Sequence, residues 1–452
     1  MKVERNLILN QIKKEMYKLK YLITFVLIGF ISGNYAQEIQ PISKTEVLNR
    51  VSEANQQIKI SVEAFNEAKA DYRQTNAVFL PNISVSHTAI ATTNPLMAFG
   101  SKLNQEIVTQ ADFNPDALNK PSQIQNYATV FEFQQPLINI DGFYQRKAAK
   151  YKMEAMALQT DRVKDYVNFE VENAYMQLQL AYKAVAVLEK ALEATEANLQ
   201  LAKNSFDQGY LQRSDVLLVE VRVTEVKNQL QTARSNVKNA SNYLSFLMND
   251  TSDVVLKPQD SLQLETTVLE TDKSLNEERA DIKAMQLAAN ARETMYKSDK
   301  MTFLPTLNAF GSYQLYDDSL FQFGADGYLV GAELKWNILQ GTKRFGKAKK
   351  SKATLEKSKL EYQQYVSKSQ LELNKTKRLL QDMESKLELS KLAMEQSKEA
   401  LRIRTNRFKE GLEKTTDLLI AETQFAQKEL EYYQTIFEYN STKAYLNFLT
   451  IN

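Results

Sequence analysis

The sequence predicts a mainly α-helical chain made of two helix–β-hairpin–helix repeats, with long coiled-coil helices and four β-strands. Three observations carry this. A turn is written twice, as Phe206-Asp-Gln-Gly209-Tyr-Leu-Gln-Arg-Ser-Asp215 and as Phe408-Lys-Glu-Gly411-Leu-Glu-Lys-Thr-Thr-Asp417, each with a glutamate five residues further on, Glu220 and Glu422. Over 452 residues there are only 12 Gly and 8 Pro, too little turn chemistry for an ordinary compact fold and suited to long helices. Four short segments alternate apolar and polar residues, two in each half, as half-buried strands do.

The N-terminus comes first. Lys18 and Lys20 precede the apolar run Leu22–Ile31, and Ala36 follows it, the layout of a secretory signal peptide over 1–36. The run is about half the ~20 residues a membrane-spanning helix needs. Met16 offers a second start site. Cleavage would remove Lys2, Arg5, Lys13, Lys14, Lys18 and Lys20 against Glu4 and Glu15, moving the formal charge from +2 to −2. That balance gives no reason to expect a nucleic-acid partner.

The first repeat is expected over 37–248. A helical pattern runs from about Lys44 to Asn76 and stops at Phe79-Leu-Pro81. Strands follow at about 82–92 and 126–138, with a polar loop between them. A helix from near Asp141 to about Phe206 would measure roughly 95 Å at 1.5 Å per residue. Its seam steps by three and four through Leu178, Ala181, Val185, Leu188, Leu192, Thr195, Leu199 and Ala202. The returning helix continues with Val219, Val223, Val226, Leu230, Ala233, Val237, Ala240, Leu244 and Leu247. A sustained period of 3.5 is a coiled-coil seam.

A linker over 249–272 separates the second repeat, 273–452. Glu278-Arg-Ala-Asp281-Ile282 opens a helix that stops at a second Phe-Leu-Pro, 303–305. Strands are expected at about 306–316 and 327–338, then a long helix, the second turn and a last helix to about Leu449. The first repeat is the longer one, and its excess falls between its two strands.

Chemistry is sparse. The chain has no Cys, which excludes disulfides and thiolate chemistry, and its single His, His87, leaves little basis for a histidine metal site or a catalytic triad. No nucleophile elbow, phosphate loop or metal-ligand cluster is written in it, so no catalytic residue, cofactor or metal is expected. From 37 onward no second long apolar run occurs, so a mature chain in a membrane would be there as a barrel. Four strands cannot close one, since eight is about the practical minimum. Either several copies share a barrel or the strands are soluble.

The doubled Gly-x5-Asp turn, the Phe-Leu-Pro before a strand in each half, Arg279-Ala-Asp281-Ile282 and Asn94-Pro-Leu-Met-Ala-Phe-Gly100-Ser-Lys-Leu-Asn104 resemble the TolC-like outer-membrane efflux proteins. The resemblance covers essentially all of 40–450. It implies a homotrimer whose four strands per chain make a 12-stranded β-barrel in the cell outer membrane, continued by a periplasmic α-helical tunnel. It implies the exit duct of a tripartite efflux pump or type I secretion system, recruited by a periplasmic adaptor, driven by an inner-membrane transporter and without enzymatic activity. Ala280 stands where many relatives have Pro.

Carried over position by position, the resemblance makes Gly209, Tyr210, Leu211, Gly411 and Leu412 the periplasmic tip that an adaptor touches. Asp417 matches an entrance-lining aspartate whose copies would attract cations and repel one another. Ile420 occupies the place of a second acid, which suggests an apolar closure. Asp215 is expected to support its helix start, with Ser214 and Thr416 as the capping candidates. Aromatics at Tyr127, Phe131, Phe133, Tyr328 and Trp336 suit lipid-facing bands or girdles, and any strand would equally favour them. Two rival readings are a periplasmic adaptor, which normally has one hairpin flanked by compact β domains, and a structural coiled-coil envelope protein, which leaves the paired strands unexplained.

Overall fold

The computed structural model describes residues 39–451 apart from 253 and 266–273. The predicted signal peptide 1–36 and residues 266–272 of the predicted linker lie outside the described residues. The first half of the chain contains β1 (Ile39–Ile42), α1 (Lys44–Ala54), α2 (Gln56–Gln74), β2 (Asn82–Thr92), α3 (Pro95–Asn104), α4 (Pro115–Asn119), β3 (Ile124–Ile138), α5 (Ile140–Asp207) and α6 (Arg213–Leu247). After β4 (Val255–Pro258), the second contains α7 (Ala280–Met301), β5 (Thr306–Asp317), β6 (Ala325–Lys335), α8 (Lys343–Lys409) and α9 (Thr415–Thr450). Among the described residues no helix is long and apolar enough to cross a membrane.

The chain divides into two units. One comprises Ser52–Asn173, Leu264–Ser390 and the segment from Glu438 onward, and it contains the four-stranded sheet. The order is β2-β3-β5-β6, antiparallel throughout. Residues opposed across such a ladder share a face. Ile83 stands opposite Phe133, Phe133 opposite Gly311, and Gly311 opposite Val330. Two residues along, Val85, Phe131, Tyr313 and Tyr328 form the next such row. The other face reads Ser84, Glu132, Ser312, Leu329 and then Ser86, Val130, Gln314, Gly327. Ser84 Oγ donates to Glu132 Oε2 on that face, at 3.3 Å.

One face of the sheet is therefore apolar and aromatic, and the other is largely polar. The apolar face is not covered by the chain itself: Ile83 is 67% exposed, Val330 72% and Tyr328 79%. Among the described residues, β2 and β6 each keep one edge without a neighbouring strand.

Strand limits follow local chemistry. Pro136 cannot donate to a ladder, yet β3 continues past it because the register shifts there at a bulge. β6 stops at Lys335, short of 338. Just beyond it Trp336 turns its indole Nε1 to donate to the Phe303 carbonyl at 3.0 Å. The loop between β2 and β3 is not bare coil, because α3 and α4 fold there, each started by an asparagine cap and a proline, Asn94-Pro95 and Asn114-Pro115.

Both Phe-Leu-Pro segments are helix-to-strand joints of the same construction. Phe79 lies edge-on to Phe143 at 6.3 Å, with the Arg146 guanidinium 5.8 Å from its ring, and Gln135 Nε2 donates to its carbonyl at 2.9 Å. Phe303 meets Phe345 at 5.4 Å, with the Arg344 guanidinium 4.9 Å from its ring. In each half an aromatic and an arginine from the start of the next long helix fix where the strand begins.

Arg279 and Asp281 form the buried clasp of this unit. Arg279 Nε and Nη2 donate to the two Asp281 oxygens at 2.7 and 3.0 Å, while Nη1 reaches the Leu449 carbonyl at 3.0 Å. Ser369 Oγ accepts a further bond from Nη2 at 2.9 Å, and Tyr365 Oη donates to Asp281 at 2.6 Å. Arg162 Nε lies 3.4 Å from Asp281, and its guanidinium sits 3.5 Å from the centre of the Phe448 ring. The motif that opens the second half thus joins α5, α7, α8 and the end of α9. Ala280 is the first residue of α7, a position that suits proline because its N–H has no helical partner.

The other unit takes in the chain up to Val51, Ala174–Gln263 and Lys391–Phe437. The 249–272 segment is more than a break in the helices: β4 pairs parallel to β1, Ile39 facing Val255 and Ile42 facing Pro258. Tyr175 fastens this small sheet to α5 by donating to the Ile42 carbonyl at 3.2 Å and to Asp260. The coiled-coil seam of α6 is buried at Val219, Val223, Val226, Leu230, Ala233, Val237, Leu244 and Leu247. Leu188 of α5 packs with Leu230 and Ala233, against Leu430 of α9.

Candidate functional site at the doubled turn

The two turns are the same object in backbone terms. Gly209 has φ +80° and Gly411 φ +73°, the left-handed region that glycine enters without a Cβ penalty. Gly209 N donates to Phe206 O at 2.8 Å and Tyr210 N to Ser205 O at 2.8 Å. Gly411 N donates to Phe408 O at 3.0 Å and Leu412 N to Arg407 O at 2.9 Å. This paired arrangement is the Schellman motif, which satisfies the last carbonyls of α5 and of α8. Replacing Gly411 by Ala is expected to cost about 1–2 kcal/mol, with Gly209→Ala adding independently. Thermal unfolding of the two single variants and the double variant checks this.

Side chains make the turns different. Tyr210 is 80% exposed and Leu412 66%, while Leu211 is half-buried. Asp215 sits at the third position of α6, and its Oδ2 accepts the backbone N–H of Gln212 at 3.1 Å, closing a capping box. The cap is Gln212, since the helix begins at Arg213 and places Ser214 inside its first turn. Thr416 likewise falls inside α9, which begins at Thr415.

Asp417 occupies the same third position in α9, but it belongs to a cluster of ion pairs. Arg404 Nη1 lies 3.8 Å from its Oδ2. Glu413, whose side chain is 10% exposed, receives Arg404 Nη1 and Arg407 Nε, both at 2.8 Å. The hydrogen bond from Arg407 comes first among the influences that hold Glu413 below the usual carboxylate range, with Arg404 adding to it. Asp417 remains 40% exposed and Ile420, one helical turn on, is 55% exposed. Glu413 and Asp417 balance the arginine pair in charge, and Asp417, with its one ion-pair contact at 3.8 Å, keeps a partly exposed carboxylate ahead of the uncovered Ile420.

Sequence reading placed the glycines and acids of these turns but missed the Arg404–Glu413–Arg407 clasp. The first turn gives no hint of it, because Ala202, Ser205 and Leu211 stand at the three equivalent places. Asn198, which donates to the buried Glu422, was missed as well.

The sequence profile described as Outer membrane efflux protein matches residues 47–250 and 273–447. No curated protein matches the chain by sequence. Among solved structures, the Campylobacter jejuni CmeC outer membrane channel is similar with a TM-score of 0.79 and 14% identity, over 90% of this chain and 85% of that one. The outer membrane protein VceC of Vibrio cholerae gives a TM-score of 0.76 and 16% identity, covering 90% of this chain and 95% of that one. The Neisseria gonorrhoeae MtrE outer membrane channel in its open state gives 0.75 and 16%, covering 90% and 88%. At such identities the structural likeness is one of fold, while the profile spans most of the chain. The chain accordingly belongs to the outer membrane efflux protein family of TolC-like proteins, whose place is the cell outer membrane.

Proposed function

We propose that three copies of this chain close one 12-stranded barrel and form the exit duct of a tripartite efflux pump. The observation that carries this is the four-stranded sheet, apolar on one face and open at both edges. Lipid excludes an open strand edge, and four strands are too few to curl into a barrel. Copies of the same chain supply the missing neighbours, β6 of one beside β2 of the next. The apolar rows from Ile83 to Val330 and from Val85 to Tyr328 then face lipid, and the polar rows face the lumen.

The doubled turn is the periplasmic end of the duct in this reading. Gly209, Tyr210 and Leu211, with Gly411 and Leu412, form the surface met by a periplasmic adaptor that couples the duct to an inner-membrane transporter. Asp417 and Ile420 line the entrance as a collar of partly exposed carboxylates, each 3.8 Å from Arg404, followed by an apolar constriction. The duct performs no chemistry and needs no cofactor. Energy comes from the transporter.

Light scattering on protein extracted from the outer membrane in mild detergent is expected to return the mass of a trimer. In planar bilayers Asp417→Ala is expected to raise single-channel conductance and to abolish block by multivalent cations. A monomeric mass, or an Asp417→Ala channel as sensitive to such cations as the parent, would overturn the reading.

A further inference from the structure

A glutamate stands five residues past the aspartate in both turns, and the duct proposed above uses neither copy. Glu220 is partly exposed, with Lys203 Nζ at 3.7 Å and Arg213 Nη2 at 3.9 Å. Glu422 is 6% exposed, and its Oε1 accepts a hydrogen bond from Nδ2 of Asn198, itself 7% exposed. The second carboxyl oxygen, Oε2, is buried without a hydrogen-bond partner. Beside the pair lies a cavity of about 590 Å³, bounded by Ala197 and Leu201 of α5 and by Leu401, Thr405 and Lys409 of α8. From α6 comes Arg222, 7% exposed, whose Nη1 reaches Glu225 at 3.2 Å and whose Nε has no hydrogen-bond partner. The charged groups facing Glu422 are thus Arg222 and Lys409, while α5 offers the neutral Asn198 and Gln200.

We propose that Glu422 and Asn198 form a protonation-operated latch fastening α9 to α5 beside the second turn. A carboxyl group in this position can be held in two ways. Neutral, it accepts from Asn198 on Oε1 and carries its proton on the buried Oε2, so no net charge is buried. Ionised, it is a buried charge with one hydrogen bond and no direct ion pair, which is costly. Burial is the largest influence on Glu422 and pushes its pKa up, while Asn198 and Arg222 pull it back only in part. The latched state therefore holds the proton more tightly than a released state in which Glu422 meets water. The latch is at full strength below the ordinary glutamate value of 4.5 and weakens as pH rises through the raised value. Each unit between the two values is about tenfold in the latched-to-released ratio. Acid fastens the latch and alkali releases it.

The consequence for transport rests on reading the second turn as the entrance of the duct: acidification would then hold that entrance shut. Hydrogen exchange on the full-length assembly in mild detergent tests the latch directly, with rates corrected for intrinsic pH dependence. Backbone protection over 415–425 is expected to be higher at pH 5 than at pH 8, by about tenfold per unit of displacement. Glu422→Gln, which keeps the shape and acceptor of the neutral acid, is expected to hold the pH 5 level of protection at both values. Asn198→Ala is expected to lower protection at pH 5. Equal protection of the parent at both pH values, or a Glu422→Gln variant that follows the parent, overturns the proposal. Unchanged exchange over Ala280–Met301, in the other unit, shows that each variant is folded. Bilayer conductance separates the two claims: pH-dependent exchange with pH-independent conductance retains the latch and removes the entrance from the second turn.

Discussion

Arg279→Ala is expected to cost about 3–5 kcal/mol, the largest loss from any single substitution considered, because it strands buried charge rather than deleting a contact. Arg279 is 2% exposed and spends its guanidinium on Asp281, Ser369 and the Leu449 carbonyl. Without it, Asp281 keeps Arg162, the Tyr365 hydroxyl and the Ile282 backbone N–H as partners. Thermal unfolding in detergent, followed by helical circular dichroism, should show the loss as a lowered midpoint. Arg279→Lys should recover little, since an ammonium cannot span both oxygens of Asp281 and still reach a carbonyl on α9. An unmoved midpoint in Arg279→Ala would mean that the clasp is incidental.

The same clasp has a pH signature opposite to that of Glu422. Burial acts to raise the pKa of Asp281, but hydrogen bonds from Arg279 and Tyr365 and the charge of Arg162 outweigh it and hold the group below its ordinary 3.8. A depressed carboxyl contributes fully above its ordinary pKa, and the contribution disappears as pH falls through the lowered value. Acid therefore loosens the Arg279–Asp281 clasp only below the ordinary 3.8, where the Glu422 latch is already fully fastened.

Val330→Arg is expected to be the second severe change, at about 2–4 kcal/mol if Val330 lies near the bilayer midplane. Val330 belongs to the apolar row with Ile83, Phe133 and Gly311. Its neighbour Leu329 falls in the row with Ser84, Glu132 and Ser312, on the opposite face. Leu329→Arg is the matched control, one residue away in sequence and expected to be tolerated in a wet lumen. The yield of folded protein in the outer-membrane fraction decides between them. Equal yields would show that this face of the sheet does not meet lipid.

Backbone periodicity and turn chemistry were legible before any coordinates. The seam from Val219 to Leu247 could be read because every third or fourth residue had to be small or apolar to let helices approach. Gly209 and Gly411 could be read because a left-handed residue between two long helices calls for glycine. Strand β4 was not legible, since four residues ending at Pro258 leave no alternation to detect. Nor was the split between the turns: Arg404 and Glu413 pair across a turn outside the i,i+3 and i,i+4 spacings, and Asn198 and Glu422 are brought together by packing between distant segments. A helix cap was misplaced for a related reason. Gln212 is a weak cap by residue type, and only the reciprocal bond from Asp215 makes it one.

The likeness and difference of the two turns have a bearing on stoichiometry. A ring of n identical chains displays 2n turns of one backbone shape, since both end in the same left-handed glycine with the same pair of hydrogen bonds. It displays only n copies of the Arg404–Glu413–Arg407 chemistry, and n of the Asp215–Gln212 box. A partner that reads backbone shape can therefore saturate at two copies per chain. One that reads side chains stops at one, and skips every other turn around the ring.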